Sequence, residues 1–309
     1  MEYISIKDAA HKWGVSERMV RRYCSEGKIK GAVVKDNTWL IPEDANKPSA
    51  KSRAHNPVHK EVPLTSLAKR IQYEYGKNNH FGIYEYIQVN LTYSSNRMAS
   101  NRLTREQVMD LFRTNKVSVS FEPMKADDII ETINHFACVR FLVEQITAPL
   151  TQEFIKRLHK LLYYGTYADR KKEVHMGEYR KEFRGIGVQP GFIRQEISSL
   201  ISEYENTETI TLDALLDFHV RFEEIHPFDD GNGRVGRLIL MKECLRFGID
   251  PFIIDDKRRG NYNKGIVAWP KDYTMLTGVC LEAQERFQRQ RELCKLMQYC
   301  KTPHGQNLL

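Results

Sequence analysis

The sequence predicts a mainly α-helical domain carrying a small β-hairpin flap, joined by an irregular linker to a small N-terminal domain. Three observations predict it. From Pro63 onward, apolar residues recur at helical spacing in one segment after another. Residues 1–45 instead read as helix, tight turn, helix and hairpin. Residues 46–62 lack periodicity and carry Pro, Ser and charges, which marks a linker.

Composition bounds the function. The chain has 309 residues, enough for one large domain, 63–309, plus a small one, 1–45. No apolar run approaches a membrane span, and the first residues lack the charged and apolar regions of a signal peptide. The six cysteines, Cys24, Cys138, Cys244, Cys280, Cys294 and Cys300, form no Cys-x-x-Cys pair. Reduced core thiols and a cytoplasmic protein are the expectation. The net charge is +7 and unevenly spread: residues 1–60 hold twelve Lys/Arg against seven Asp/Glu. A basic N-terminal fifth points to nucleic acid, although a solvated surface gives the same count.

In the N-terminal unit, Ile6, Ala9, Ala10 and Trp13 form a short amphipathic helix, and Ser16 is placed to cap a second helix from about Glu17 to Ser25. That helix carries Arg18, Arg21 and Arg22. Lys28 follows, and residues 29–41 read as a hairpin. The order resembles a winged helix-turn-helix of the MerR or excisionase type. The resemblance implies a DNA-binding head, with Arg18, Arg21, Arg22 and Lys28 as first contacts to phosphates or base edges. A head kept only for protein docking is the alternative.

In the large domain, Tyr84, Ile87, Leu91 and Met98 mark one helix face. Val117–Phe121 alternates like a short strand, and residues 129–146 form a long amphipathic helix. Thr151 caps the next. His135 and His159 lie within these helices as structural residues. The stretch 176–192 is rich in Gly and Pro and reads as a hairpin. Pro190 and Gly191 argue there against a helix and against a dinucleotide loop at Gly185-x-Gly187. A final amphipathic helix runs from Tyr273 to Phe287, and the chain frays from about Lys301.

The chemistry concentrates in residues 225–237. Leu212, Leu215, Phe218, Phe222 and Ile225 form one helical stripe, and Val235, Leu238, Ile239 and Leu245 another. Between them, Asp230-Gly231-Asn232-Gly233 allows backbone conformations that Cβ-bearing residues resist. Its amides can form a nest at a helix N-terminus, which suits phosphate. Arg234 and Arg237 in the first helical turn oppose the helix dipole unless a polyanion arrives. Asp230 can hold Mg²⁺ against phosphate oxygens. His226 is a base with a near-neutral unperturbed pKa. His219, Glu223 and His226 also share a face that a metal could use, a weaker reading. A base, a metal carboxylate, a nest and two arginines suit phosphoryl or nucleotidyl transfer.

Residues 226–237 resemble, at every fixed position, the signature of the Fic family: His-Pro-Phe-x-Asp/Glu-Gly-Asn-Gly-Arg-x-x-Arg. The resemblance extends over roughly residues 80–290. It implies a Fic fold and a protein adenylyltransferase that moves AMP from ATP, with Mg²⁺, to a Tyr, Thr or Ser hydroxyl of a target protein or of itself. It assigns His226 as base and Asp230 to the metal. Gly231, Asn232, Gly233, Arg234 and Arg237 are assigned to the phosphates. Tyr262 and Asn263 would lie beside the adenosine. The segment Arg184, Gly185, Ile186, Gly187, Val188, Gln189, Pro190 and Gly191 would be the flap over the site, pairing with the target. Phe228 would anchor the loop, and Asp229 would carry no chemistry.

Residues 95–100 resemble the family's inhibitory segment, Ser/Thr-x-x-x-Glu-Gly/Asn. Ser95 fits the first position, Ala99 stands where the family has glutamate, and Ser100 stands where Gly or Asn is usual. In the family that glutamate pairs with the second signature arginine, here Arg237. Ala99 reads as a truncating replacement or as a natural alanine; both predict a derepressed enzyme. The rival functions are transfer of UMP or phosphocholine, removal of AMP from a target, and a transcription regulator using this domain as a nucleotide sensor. The target, the DNA site and self-association are left open.

Overall fold

The computed structural model describes residues 2–300 apart from 16, 26, 36–37, 49–61, 78–80, 118–123 and 270, and gives backbone only at 18, 25 and 297–300. The head begins with β1 (Tyr3–Ser5), followed by α1 (Ile6–Trp13) and α2 (Glu17–Ser25). Then come β2 (Val33–Lys35) and β3 (Thr38–Pro42). Ser5 starts α1 through a reciprocal cap: its Oγ accepts from the Asp8 amide at 3.1 Å, and its hydroxyl donates to Asp8 Oδ2 at 2.6 Å. The two helices and the hairpin lie where the sequence puts them. The first strand was not legible. It has three residues and exists because Tyr3 and Ser5 pair antiparallel with Pro42 and Leu40, giving sheet order β1-β3-β2.

The body is helical throughout its described residues. It comprises α3 (Ser66–Gly76), α4 (Ile83–Met98), α5 (Arg105–Thr114), α6 (Ala126–Glu144), α7 (Gln152–Tyr163) and a single turn α8 (Tyr167–Arg170). After these come α9 (Pro190–Glu205), α10 (Leu212–Ile225) and α11 (Asn232–Phe247). A 3₁₀ turn, Asp256–Arg258, leads into α12 (Arg259–Ala268) and α13 (Thr274–Cys300). Threonines start several of these helices. Thr65, Thr104, Thr151 and Thr211 each accept an amide of the first turn, as short hydroxyl side chains do at N-caps.

Helix α11 is the axis of the body and packs on α10, α6, α4, α7 and α3. Its burial is nearly complete and includes charged residues. Lys242 and Glu243 have no exposed surface, and Arg246 has almost none. Such groups survive burial only when paired. Lys242 Nζ lies 2.6 Å from Glu243 Oε1, Arg246 Nη1 lies 2.7 Å from Glu205 Oε1, and Tyr204 donates to Glu243 at 2.9 Å. The C-terminal part of α11 is thereby locked to α9.

Two expectations are corrected. No strand occurs among residues 171–189, so the flap is not a β-hairpin. Pro190 does not prevent a helix but begins one, occupying the first turn of α9, where its missing amide costs nothing. The strand expected at Val117–Phe121 lies outside the described residues beyond Val117, as do the Ser16 cap, most of the linker and the end from Lys301.

The head is not a loosely tethered bead. Its apolar residues and those of the body form one continuous hydrophobic core. Arg22 of α2 lies 2.9 Å from Asp217 and 3.5 Å from Glu224, both on α10. The Gln189 amide donates to the Gly14 carbonyl at 2.9 Å. Lys47, expected in the linker, pairs with Glu196 of α9 and lies over the Phe192 ring. The described cysteine side chains, Cys24, Cys138, Cys244, Cys280 and Cys294, are buried free thiols. No helix among the described residues is long and apolar enough to cross a membrane.

Candidate active site

The site forms where α10 ends and α11 begins. His226 is the last cap of α10 and adopts the left-handed conformation, with φ 51° and ψ 62°. A Cβ-bearing residue accepts this only when its surroundings hold it there. Arg180 does the holding. Its Nε donates to the His226 carbonyl at 2.7 Å, its Nη1 to the Glu182 carbonyl at 2.9 Å, and its backbone amide to the Pro227 carbonyl at 2.9 Å. A further Arg180 bond reaches the Val188 carbonyl. The same arginine thus binds the catalytic turn and the flap segment. Gly187 is the point of closest approach. With φ +82°, an added Cβ would lie 2.6 Å from the Ile225 carbonyl and 2.7 Å from His226 Cβ.

The imidazole of His226 is kept neutral: burial lowers its pKa below the ordinary value, and the Arg180 cation adds to the effect. The neighbouring histidines are structural, as expected. His159 Nδ1 accepts from the Gly177 amide at 2.9 Å, which leaves Nε2 as the protonated nitrogen facing the Asp230 carbonyl at 3.2 Å. Its ring stacks on Phe228 at 3.9 Å, and Phe228 is fully buried, the anchor of the loop. His135 bonds Thr92 at 2.9 Å, and His219 bonds the Tyr262 hydroxyl at 2.5 Å. Burial takes the pKa of both to about 3.

Helix α11 opens on Gly231, whose φ is +79°, and no side chain caps it. Its first amides therefore have no side-chain partner, the arrangement an incoming anion completes. Asn232 closes the turn and does not reach outward. Its Oδ1 accepts from the Phe228 amide at 2.9 Å, and its Nδ2 donates to the Phe228 carbonyl at 3.0 Å. Any contact of Asn232 with phosphate falls to its main-chain amide. Arg234 is also buried. It lies 3.3 Å from Glu131 and 3.6 Å from Asp230, and bonds the Tyr163 hydroxyl at 2.5 Å.

Asp230 is the exposed carboxylate of the turn. Burial of its surroundings raises its pKa, but Arg234, the Tyr163 hydroxyl and the Gly231 amide outweigh that and leave it below the usual range. Its Oδ1 accepts from Gly231 at 2.7 Å. Among the described residues no group of three or more His, Cys, Asp and Glu could hold a metal ion, which removes the face of His219, Glu223 and His226. A lone ionised carboxylate fits Mg²⁺ of the kind that takes its other ligands from phosphates and water.

Arg237 turns towards α4. Its Nε donates to Ser95 Oγ at 3.0 Å and its Nη2 to the Ser95 carbonyl at 3.2 Å. Ala99 is the C-cap of α4, and Ser100 follows with φ 73°. A second acidic group, absent from the sequence assignment, lies close by. A Cβ on Gly233 would sit 3.0 Å from Arg237 Nη1 and 3.5 Å from Glu223 Oε1, so both groups approach the same point. Burial pushes the Glu223 carboxyl up to about 7, opposed by Arg237.

Other assigned residues separate. Tyr262 is 1% exposed and engaged by His219, so its ring presents no face to a base; Asn263 is exposed. Asp229 is not idle. Only 4% of its side chain is exposed, and it lies 3.0 Å from His175 Nδ1 and 3.7 Å from Arg184, which ties the flap to the loop. Ile186 is exposed on that flap, and Val188 is buried. In the head, Arg21 is exposed and pairs with Glu17 at 3.3 Å, and Lys28 is exposed. Arg22 is taken up by the contact with α10, which corrects its place among the DNA contacts. The Arg18 side chain lies outside the described residues. Sequence reasoning missed Arg180 and Tyr163, and read Glu223 only as part of a possible metal face, because their partners lie on other elements.

A histidine fixed beside an uncapped helix N-terminus and two arginines makes a site suited to an anion such as phosphate on a helical scaffold. Residues 149–243 match the family model described as Fic/DOC family. The protein adenylyltransferase fic-1 of Caenorhabditis elegans is 27% identical over 96 residues, 30% of this chain and 18% of that protein. A probable protein adenylyltransferase of Aquifex aeolicus is 27% identical over 159 residues, covering 48% of this chain and 49% of its own. The chain thus matches from under a fifth to about half of these relatives' length. A Fic domain containing signaling protein from Bacteroides thetaiotaomicron shares the fold, with TM-score 0.58 and 19% identity over 74% of this chain and 95% of that one. Fic-1 (residues 134–508) from C. elegans does so with TM-score 0.56 and 20% identity over 72% and 69%.

Proposed function

We propose that the chain is a protein adenylyltransferase acting on a side-chain hydroxyl. The observation that carries this is the neutral His226, held by Arg180 in a left-handed turn beside the uncapped N-terminus of α11. ATP places its phosphates on the amides of residues 232–234, and Arg237, released from Ser95, reaches the γ-phosphate. Asp230 is the residue that would hold Mg²⁺, which when bound neutralises phosphate charge. The hydroxyl of a target Tyr, Thr or Ser gives its proton to His226. Its oxygen bonds the α-phosphorus, the bond to the β-phosphate oxygen breaks, and pyrophosphate leaves.

The absence of a carboxylate at Ala99 supports a derepressed state, because what α4 offers Arg237 is the hydroxyl and the carbonyl of Ser95. AMP removal is disfavoured for the same reason, since in the resemblance that reaction leans on the missing glutamate. Transfer of UMP or phosphocholine is the neighbouring alternative, since nothing in the phosphate cradle selects a base. The test is incubation of the full chain and a cell lysate with α-labelled ATP and Mg²⁺. Label on protein, lost in His226→Ala, is the expected result. Nucleotide binding with no label would instead favour a sensor.

A second reading concerns the head. Its basic surplus and its two helices with a paired hairpin support binding to DNA through Arg21 and Lys28. Affinity should fall steeply with salt. An affinity insensitive to salt leaves the head as a docking module for α9 and α10.

A further inference from the structure

A cavity of about 390 Å³ lies away from the catalytic turn, between α4, α13 and the segment preceding the 3₁₀ turn. One wall is the stripe Tyr86, Asn90 and Ser94, at successive turns of α4. The opposite wall carries Arg286 and Arg289 of α13, and Arg105 at the start of α5 closes one end. Asp255 also lines the space, but its Oδ1 is engaged by the Lys257 amide at 3.0 Å. Three guanidinium groups against one carboxylate leave the lining net positive.

These arginines are poorly compensated by the protein itself. The Nη2 of Arg286 is buried and has no hydrogen-bond partner among the described residues. An unpaired buried guanidinium nitrogen is costly unless a ligand meets it. Arg105 lies over the Tyr93 ring at 5.1 Å, and Arg289 has a 3.9 Å approach to Glu285 at the surface. A second cavity of about 220 Å³ shares the Tyr86, Asn90, Arg105 and Gln290 wall and continues between α4 and α5 past Val89 and Met109. A basic chamber thus adjoins one whose lining also includes Glu106 and the ion-paired Glu85 and Arg113. Guanidinium forks suit phosphate, and the volume is that of a small-molecule site.

We propose that this double cavity is a second nucleotide site, taking a nucleoside phosphate with its phosphates on Arg105, Arg286 and Arg289 and its base towards Val89 and Met109. The site is separate from the catalytic cradle but adjoins it through one residue step. Ser94 lines the cavity, and Ser95, its neighbour, holds Arg237. Occupancy therefore bears on the end of α4 that positions the γ-phosphate arginine.

The probe is 8-azido-ATP without magnesium, photolysed on the full-length chain and mapped by peptide mass spectrometry. The expected result is label within residues 81–109 or 283–294, present in wild type and in His226→Ala. It should fall about tenfold or more in Arg286→Glu and in Arg289→Glu. Arg289 is exposed, so its variant keeps the test sound if Arg286→Glu fails to fold. Label confined to residues 226–266, no label at all, or cavity label indifferent to both charge reversals would each overturn the proposal. His226→Ala separates the two inferences. Cavity labelling there stands whether or not wild type transfers AMP, and transfer without cavity labelling removes this site alone.

Discussion

Arg237 and Ser95 are joined by two hydrogen bonds, Nε to Oγ at 3.0 Å and Nη2 to the carbonyl at 3.2 Å. The arginine that should meet the terminal phosphate is thus parked on α4, one turn before Ala99. A neutral hydroxyl and a carbonyl hold it less strongly than a carboxylate, which adds the attraction of an opposite charge and can accept both arms of the guanidinium fork.

Ala99→Glu should therefore suppress transfer. Placing a carboxylate at the end of α4 offers Arg237 a charged partner that competes with the γ-phosphate. A fall of about tenfold or more in initial rate with α-labelled ATP is expected, with the melting temperature little changed. An unchanged rate would remove the inhibitory role from this segment.

Gly187→Ala should damage catalysis more than folding. Its Cβ would press on the Ile225 carbonyl and on His226 itself. Displacing the base by about 1 Å costs about 100-fold in favourable cases. The readout is kcat of label transfer beside a thermal melt. A fully active variant would mean that the flap and the turn move independently.

The pH dependence carries two opposite signs. His226 has a folded pKa below 6.5, so its neutral form persists into mild acid. The acid limb of kcat/KM should lie below pH 6.5. The stability it contributes is full above 6.5 and is lost as pH falls through its folded pKa. Glu223 is raised, from 4.5 to about 7. Its contribution is full below 4.5 and is lost as pH rises through 7. Glu223→Gln should accordingly raise the melting temperature relative to wild type more at pH 8.5 than at pH 5.5. An equal shift at both would contradict the raised carboxyl.

Arg22 and Arg21 should behave differently although they are neighbours. Arg22→Ala removes a partner from Asp217 and from Glu224, whose side chain is 2% exposed. A loss of about 2–4 kcal/mol in unfolding free energy is expected, measured by denaturant titration. Arg21→Ala should leave stability within about 0.5 kcal/mol, since its pair with Glu17 is exposed. If the head binds DNA, Arg21→Ala should lower the salt slope of that binding by about one unit.

Much of this molecule is local and was therefore readable. Thr151 and Thr211 start helices through their own first-turn amides, and the stripes Leu212–Ile225 and Val235–Leu245 follow the helical period. The twelve residues from His226 to Arg237 carry the site because a turn and a helix start are built from contiguous chain. The flap segment was misjudged for a local reason as well: Pro190 opens α9, and among the described residues no strand pairs with 184–189.

What the sequence determined, then, is which residues form the turn and helix start of the proposed phosphate cradle, with His226 beside them. Only the tertiary structure decided how they are held. Arg180 reaches His226 from 46 positions away and Ser95 receives Arg237 across 142, while Arg22 docks the head on Asp217 across 195. Spacing along a chain constrains only neighbours within a turn or a hairpin. Contacts at such separations are set by how helices pack, which no local pattern encodes.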